Sequence, residues 1–495
     1  MSVLLLNATS AKIPLKAGSV HMIATSPPYY GLRDYKLPGT VWPAVEFVPM
    51  AGLPAVNVPA WEGCLGMEPD PLMFMAHVVH IMREGWRVLR EDGVAWLNFG
   101  DSYSGYKGDN YGVNSHLSNL QSKTTVPKCH DVGTPLTSGL KQKDLMGIPW
   151  RIAFALQADG WYLRSDVIWS KDNPMPESVN GWRWERHQVK ITNGRVPRHG
   201  IERGDGHVNE SNVSNRQDGA LWEDCPGCDK CDHNDGYVLR RGSWRPTKSH
   251  EYIFMLAKSE DYYSDREAVL EGAVGTGGGT FSDKYASNQP EHGGKSQYRW
   301  GESTADGEPT TRNKRSVWNV NPQPYPGAHF ATWPPDLVET MLTSSTSEKG
   351  VCPVCGAPWV RVVERSQPQP RPDNPNPVRP YGAESGFQNG TGATTLHMTR
   401  TTETTDWRPS CKCPERQPVP AVVLDIFAGS GTTLQVARQL GRHGIGLDLS
   451  FTYLKNEARH RLSLDALEAL QSGTGMVQTA GRRKKKTNSA QMGLL

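Results

Sequence analysis

Thr25-Ser26-Pro27-Pro28-Tyr29-Tyr30 follows the apolar run Val20-His21-Met22-Ile23-Ala24. The run reads as a buried strand and the hexapeptide as the loop leaving its carboxyl end. In open α/β sheets ligands sit at that edge. The two prolines fix φ, remove two backbone donors and leave their carbonyls free to accept. Ser26 adds a hydroxyl before them and Tyr29 a flat ring after them. A stiff loop with an oxygen, bare carbonyls and a stacking surface can grip a planar ring that carries an exocyclic amino group.

A second stretch, Asp425-Ile426-Phe427-Ala428-Gly429-Ser430-Gly431-Thr432-Thr433, lies near the other end of the chain. Residues 421–427 read as a strand, 432–440 as a helix and 444–448 as the next strand. Glycines between a strand and a helix let backbone approach a ligand at the helix N-terminus. The spacing is not Gly-x-Gly-x-x-Gly, and no Lys completes a phosphate loop. Asp448, at the end of the following strand, can accept from the hydroxyls of a ribose. Its alternative reading is a helix N-cap.

Between these stretches the pattern alternates strand and helix, which predicts an α/β fold. Residues 3–6 form a short strand with Asn7 at its exit. Residues 71–89 form an amphipathic helix with Phe74, Val78, Ile81, Met82 and Trp86 on one stripe. Glu91-Asp92-Gly93 ends it, and 94–99 is a buried strand. A helix over 148–160 and strands over 161–169 and 250–257 follow, the last of undecided direction. Pro334-Pro335-Asp336 opens a helix through Met341, and 451–470 is helical. Residues 31–66 read as a long functional loop. Segments 104–140 and 271–315 read as mobile.

The net charge is +3 over 495 residues, and the run Arg482-Arg483-Lys484-Lys485-Lys486 more than accounts for it. Any nucleic-acid surface is therefore local. The best candidate is 172–245, where Arg183, Arg186, Lys190, Arg195, Arg198, His199, Arg203 and Arg216 interleave with Trp182, Trp184 and Trp222. No apolar run is long enough to span a bilayer, and the first residues lack a signal-peptide pattern. Seven of the nine cysteines stand in two tight clusters. That pattern favours metal in a reducing compartment, so the expected location is cytoplasmic. Cys352-x-x-Cys355 with Cys411-x-Cys413 suits tetrahedral structural zinc. Cys225-x-x-Cys228-x-x-Cys231-x-His233 is a weaker second site, in which Asp232, Asp235 or a distant His competes with His233.

Ser26-Pro27-Pro28-Tyr29 resembles the catalytic motif of the DNA methyltransferases that act on N4 of cytosine or N6 of adenine. The glycine stretch resembles the S-adenosylmethionine loop of methyltransferases. Leu65-Gly66-Met67-Glu68-Pro69, residues 96–103, residues 166–171, residues 245–251 and residues 316–341 resemble further family blocks. The catalytic loop comes first and the cofactor loop last, the order of the β group, whose Rossmann-like sheet is circularly permuted. Two departures stand out: Asn7 where the family often has Asp, and Ala24 where a larger aliphatic is common.

The resemblance implies catalytic roles for Ser26, Pro27, Pro28 and Tyr29. It implies S-adenosylmethionine at Asn7, Thr25, Asp425, Phe427, Ala428, Gly429, Gly431, Thr432 and Asp448. Double-stranded DNA is the implied partner, its target base flipped out, and a restriction endonuclease an expected companion. Ser before Pro-Pro-Tyr favours cytosine N4, with adenine N6 the alternative. Residues 1–171 would be the catalytic half, 172–245 a recognition and zinc insert, and 246–348 the rest of the core. Residues 349–418 would be a zinc-ribbon-like insert, 419–471 the cofactor half and 472–495 a basic tail. A non-catalytic zinc DNA-binding protein is the competing class, and RNA or a protein amide the competing substrates. The oligomeric state is not legible.

Overall fold

The structure, a computed structural model, describes residues 2–32, 35, 37–104, 139–141, 143–174, 180–195, 220–272, 311–323, 332–365, 369–370, 398–399, 402–414 and 417–464. Outside them lie nearly all of the 104–140 segment, most of 271–315, Arg198, His199, Arg203, Arg216, the middle of the 349–418 insert and the basic tail. The chain divides into two units, residues 1–172 with 250–495, and residues 173–249.

The larger unit is built on eight strands. They are β1 (Val3–Asn7), β2 (Val20–Thr25), β3 (Leu89–Phe99), β4 (Tyr162–Ser170), β5 (His250–Ala257), β6 (Val317–Asn319), β7 (Val422–Asp425) and β8 (His443–Asp448). Their order across the sheet is β1-β8-β7-β2-β3-β5-β4-β6. The first five in that order run parallel. β5 is antiparallel to both its neighbours, β3 and β4, which decides the direction that periodicity left open. The two strands latest in sequence thus lie between the two earliest.

Alternation along β2 explains why both faces are covered. Ile23 packs with Phe74, Val78, Ile81 and Met82 of helix α1 (Pro71–Val88) and with Ile152 and Leu156 of α2 (Ile148–Ala158). Met22 and Ala24 point the other way, to Leu337, Val338 and Met341 of α3 (Pro335–Ser345) and Val436 of α4 (Thr432–Gln439). Each of these side chains larger than alanine contributes about 1.5–3 kcal/mol when removed from water. Helix α1 starts as its sequence dictates, with the Asp70 carboxylate accepting from Leu72 N at 2.7 Å and Pro71 at the first position.

Three local expectations change. Glu91-Asp92-Gly93 does not separate helix from strand: β3 begins at Leu89, directly after α1. Val20 pairs with Leu89 but Met22 with Val94, so residues 90–93 form a bulge. The Arg90 guanidinium closes that bulge on the Asp92 carboxylate. Residues 31–66 are not merely loop. Thr40–Trp42 pairs with Trp61–Gly63 and Val45–Phe47 with Val56–Val58. Three-residue strands are too short to show a period. The helix expected over 451–470 is seen from Phe451 to Arg461, with a π-helical turn at Leu454–Ala458. Residues 465–470 lie outside the described residues. No helix among the described residues is long and apolar enough to cross a membrane.

Candidate active site

The carboxyl ends of β1, β8, β7, β2 and β3 lie side by side and carry Asn7, Asp448, Asp425, Thr25 and Phe99 respectively. Two loops that stand at opposite ends of the sequence therefore leave adjacent strands.

Their junction is Thr25 to Asp425. Thr25 Oγ1 donates to Asp425 Oδ1 at 2.8 Å, Thr433 Oγ1 to Oδ2 at 2.6 Å, and Phe427 N to Oδ1 at 3.1 Å. Asp425 is buried, and burial pushes its carboxyl up to about 6 against the pull of these three donors. Asp448 is bound as firmly. Its Oδ2 accepts from Gly429 N at 2.9 Å and its Oδ1 from Ser450 N at 2.7 Å. Burial raises its carboxyl above the ordinary value while these two N–H groups lower it. The helix N-cap is Ser450, which accepts from Tyr453 N, so Asp448 itself is not the cap.

Asn7 donates from Nδ2 to the carbonyls of Asp448 and Leu449, at 3.0 and 2.9 Å. An Asp there could not donate, which gives the departure from the family's usual residue a physical meaning: here the amide fixes the exit of β8. The two turn glycines do different work. A Cβ on Gly431 (φ +80°) would meet Ala458 at 3.3 Å, so that residue packs the loop onto the following helix. A Cβ on Gly429 (φ +50°) would find only the Phe427 carbonyl, at 4.0 Å. Backbone there is open to close approach by a ligand. Ala428 is buried and Phe427 partly so. Thr432 is buried, its hydroxyl and that of Ser430 taking the Arg461 guanidinium.

The Ser26–Tyr29 loop is braced from below by residues that the sequence did not assign. Asn98, the penultimate residue of β3, has its Nδ2 within hydrogen-bonding distance of Tyr29 Oη (2.7 Å), Glu251 Oε2 (3.0 Å) and Ser26 Oγ (3.3 Å), its two hydrogens shared among the three. Tyr29 Oη donates to Glu251 Oε2 at 2.6 Å, and Lys171 Nζ is paired with the same carboxylate. Burial first, then the Glu251 charge, holds the Tyr29 phenol well above its usual value. Asn98 Oδ1 is buried with no partner among the described residues. Such an acceptor costs about 1–3 kcal/mol, a cost tolerated at functional sites. The signal for Asn98 was a polar residue inside an apolar strand. Lys171 and Glu251 stand at strand ends within two of the family-like blocks.

The Leu65–Glu68 block supports the same loop. Gly31 N donates to Gly66 O at 2.8 Å, and Gly66 N to Glu68 Oε2 at 2.7 Å. A Cβ on Gly66 (φ +90°) would strike the Tyr29 carbonyl at 2.9 Å. Pro27 is buried and Pro28 partly so. Tyr30 packs on Phe74 with ring centroids 5.4 Å apart.

Cys352, Cys355, Cys411 and Cys413 come together, their sulfurs within 4.8 Å of one another. In the smaller unit Cys225, Cys228 and Cys231 gather in the same way, but with His187. His233 is not in that group: it is exposed on the turn Asp232–Asn234. Two residues along a turn with three residues per turn carry its side chain away from Cys231. Of the proposed recognition residues, Trp182, Trp184 and Trp222 are exposed, and Arg183 is paired with Glu185. The side chains of Lys190 and Arg195 lie outside the described residues.

Comparison with known proteins places the chain in a family. The DNA methylase profile for N6 and N4 enzymes matches residues 20–353 and 418–459. It skips residues 354–417, which hold three of the four cysteines of the Cys352–Cys413 group. The chain is 32% identical over 340 residues to type II methyltransferase M.Cfr9I of Citrobacter freundii, spanning 69% of this chain and 71% of that one. It is 29% identical over 328 residues to type II methyltransferase M.SmaI of Serratia marcescens, spanning 66% and 69%. The solved PvuII DNA methyltransferase, described as cytosine-N4-specific, aligns over 96% of this chain and 94% of its own at 11% identity, with a TM-score of 0.38, too distant a likeness to weigh. The chain belongs to the DNA methylase family whose members methylate N6 of adenine or N4 of cytosine.

Proposed function

We propose that the protein transfers a methyl group from S-adenosylmethionine to the exocyclic N4 of cytosine in double-stranded DNA. The observation that carries the reading is the Thr25–Asp425 bond, which fixes the Pro-Pro-Tyr loop beside the glycine loop. The donor set fits the cofactor: Gly429 offers open backbone beside two carboxylates and an amide at neighbouring strand ends. Asn7, Thr25, Asp425, Phe427, Ala428, Gly429, Gly431, Thr432 and Asp448 would form its site. Asp425, Thr25 and Thr432 act from within, by shaping the loop. The bound cofactor supplies an electrophilic methyl group on a sulfonium.

The exocyclic amine is a poor nucleophile because its lone pair is conjugated with the ring. Hydrogen bonds from its two hydrogens to Ser26 Oγ and the Pro27 carbonyl draw the nitrogen toward a tetrahedral shape. Catalysis then rests on positioning and oriented dipoles. Pro28 stiffens the turn. Asn98, held by Glu251 and Tyr29, keeps Ser26 Oγ in place. Tyr29 offers its remaining ring surface to the flipped base. No covalent intermediate and no catalytic metal is required.

Ser before Pro-Pro-Tyr, by family resemblance, favours cytosine, and adenine N6 is the alternative. The position of β7 and β8 between β1 and β2 supports a circularly permuted Rossmann-like sheet. Both cysteine groups are read as structural zinc sites. The relatives' designation as type II methyltransferases supports a restriction endonuclease companion and a cytoplasmic setting. Methyl-labelled S-adenosylmethionine incubated with the protein and duplex DNA, RNA or protein tests the reading. Label is expected in duplex DNA; label confined to RNA or protein, or none at all, contradicts it.

A further inference from the structure

We infer that His187, together with Cys225, Cys228 and Cys231, holds a structural zinc ion at the junction of the two ladders of the 173–249 unit. The inference refines the zinc reading of this insert and is independent of the methyl-transfer reading.

The four ligand atoms lie within 4.8 Å of one another. Cys228 Sγ is 3.7 Å from Cys231 Sγ and 3.4 Å from His187 Nδ1. A tetrahedral zinc with sulfur at about 2.3 Å and nitrogen at about 2.0 Å sets its ligands roughly 3.4–3.8 Å apart. Three thiols and one imidazole are a soft set that suits zinc. With four protein ligands the ion keeps no open position, as structural sites require. The same unit's cysteines are unbridged, so no disulfide competes for them.

The place of His187 in the chain gives the ion its role. One ladder pairs Arg183–Arg186 with Tyr237–Arg240, and the other pairs Gln188–Arg195 with Ala220–Asp224. His187 is the single residue between the two outgoing strands. Its N–H donates to Gly236 O and its carbonyl accepts from Cys225 N, both at 2.8 Å. Cys225 follows one returning strand directly, and Gly236 precedes the other. All four strand ends therefore converge on the ligand set.

Among its described residues the unit shows no apolar core. Cys231 is the only fully buried residue among its described side chains, while Trp182, Trp184, Trp222 and Trp244 stay exposed. A segment this small, whose described side chains bury no apolar core, calls for a staple. Metal binding to such a segment is folding free energy.

The test is zinc content of the full-length protein after dialysis, by mercurial release into a chromogenic chelator. Wild type should release two zinc ions per chain, His187→Ala one and His233→Ala two. His187→Cys, which restores a fourth ligand, should regain the second ion. In the cobalt-substituted protein it should strengthen the thiolate-to-metal absorption over wild type. Two ions retained by His187→Ala, one lost by His233→Ala, or a wild-type content of one that Cys352→Ser abolishes would each overturn the assignment. The methylation assay reads separately, so loss of a zinc site and failure of the methyltransferase reading stay distinct.

Discussion

Thr25 Oγ1 donates to Asp425 Oδ1 at 2.8 Å across a sequence separation of 400 residues. One side chain ends the strand that delivers the Pro-Pro-Tyr loop, and the other ends the strand that delivers the glycine loop. Thr25→Val keeps the shape and removes the donor. It should cost about 1–3 kcal/mol of stability, the penalty for a buried acceptor left short of a partner. It should also weaken S-adenosylmethionine binding, with Thr25→Ser restoring both. Thermal melting and calorimetric titration check this; a Val variant that melts and binds like wild type would break the link between the two loops.

Asp425 gives the link a pH signature. Its carboxyl is raised from the usual value of 3.8 to about 6 in the folded chain. A raised carboxyl binds its proton more tightly when folded. Its contribution is therefore complete below pH 3.8 and is lost as pH rises through 6. The size is up to about 3 kcal/mol. Denaturant titrations of wild type and Asp425→Asn at pH 4 and pH 7 should show the wild-type advantage shrinking at the higher pH. An advantage that grows with pH reverses the sign and refutes the burial argument.

Among the described residues Glu251 reaches the Ser26–Tyr29 loop through Tyr29 directly and through Asn98 of β3. Glu251→Gln should lower kcat about 10–100-fold, equivalent to roughly 1.4–2.8 kcal/mol of positioning. It should leave the cofactor dissociation constant unchanged. Ser26→Ala should bind cofactor normally and lose most of its rate. A Glu251→Gln variant whose loss lies entirely in cofactor affinity would move that residue out of the base site.

The four-cysteine group is tied to the amino end of β2, not to the edge that carries the two site loops. Arg90 Nη1 donates to the Cys355 carbonyl at 2.6 Å, and His21 Nε2 lies 3.0 Å from the Gly356 carbonyl. His21 Nδ1 accepts from Val422 N at 3.0 Å, at the start of β7. Cys352→Ser, or chelation, should lower the melting temperature and loosen cofactor binding, without changing which base is methylated. Chelated protein with unaltered melting would make the cluster metal-free thiols.

The two site loops were legible because each compresses its chemistry into contiguous residues: Ser26 to Tyr29, and Asp425 to Thr433. The supports were harder to read. Asn98, Lys171 and Glu251 come from three strands, and only sheet pairing brings them together. The bulge at 90–93 looked like a turn because Glu-Asp-Gly has turn chemistry, while the strand it pairs with, Val20–Thr25, lies far earlier in the chain. His187 was passed over for His233 because short spacing along a chain is a poor guide to a ligand that a hairpin returns.

Mass spectrometry of nucleosides from duplex DNA treated with the enzyme and S-adenosylmethionine tests the central claim most directly, with Ser26→Ala as the control. The account predicts N4-methyldeoxycytidine from the wild type and nearly none from the variant. N6-methyldeoxyadenosine as the sole product, or equal yields from both proteins, would contradict it.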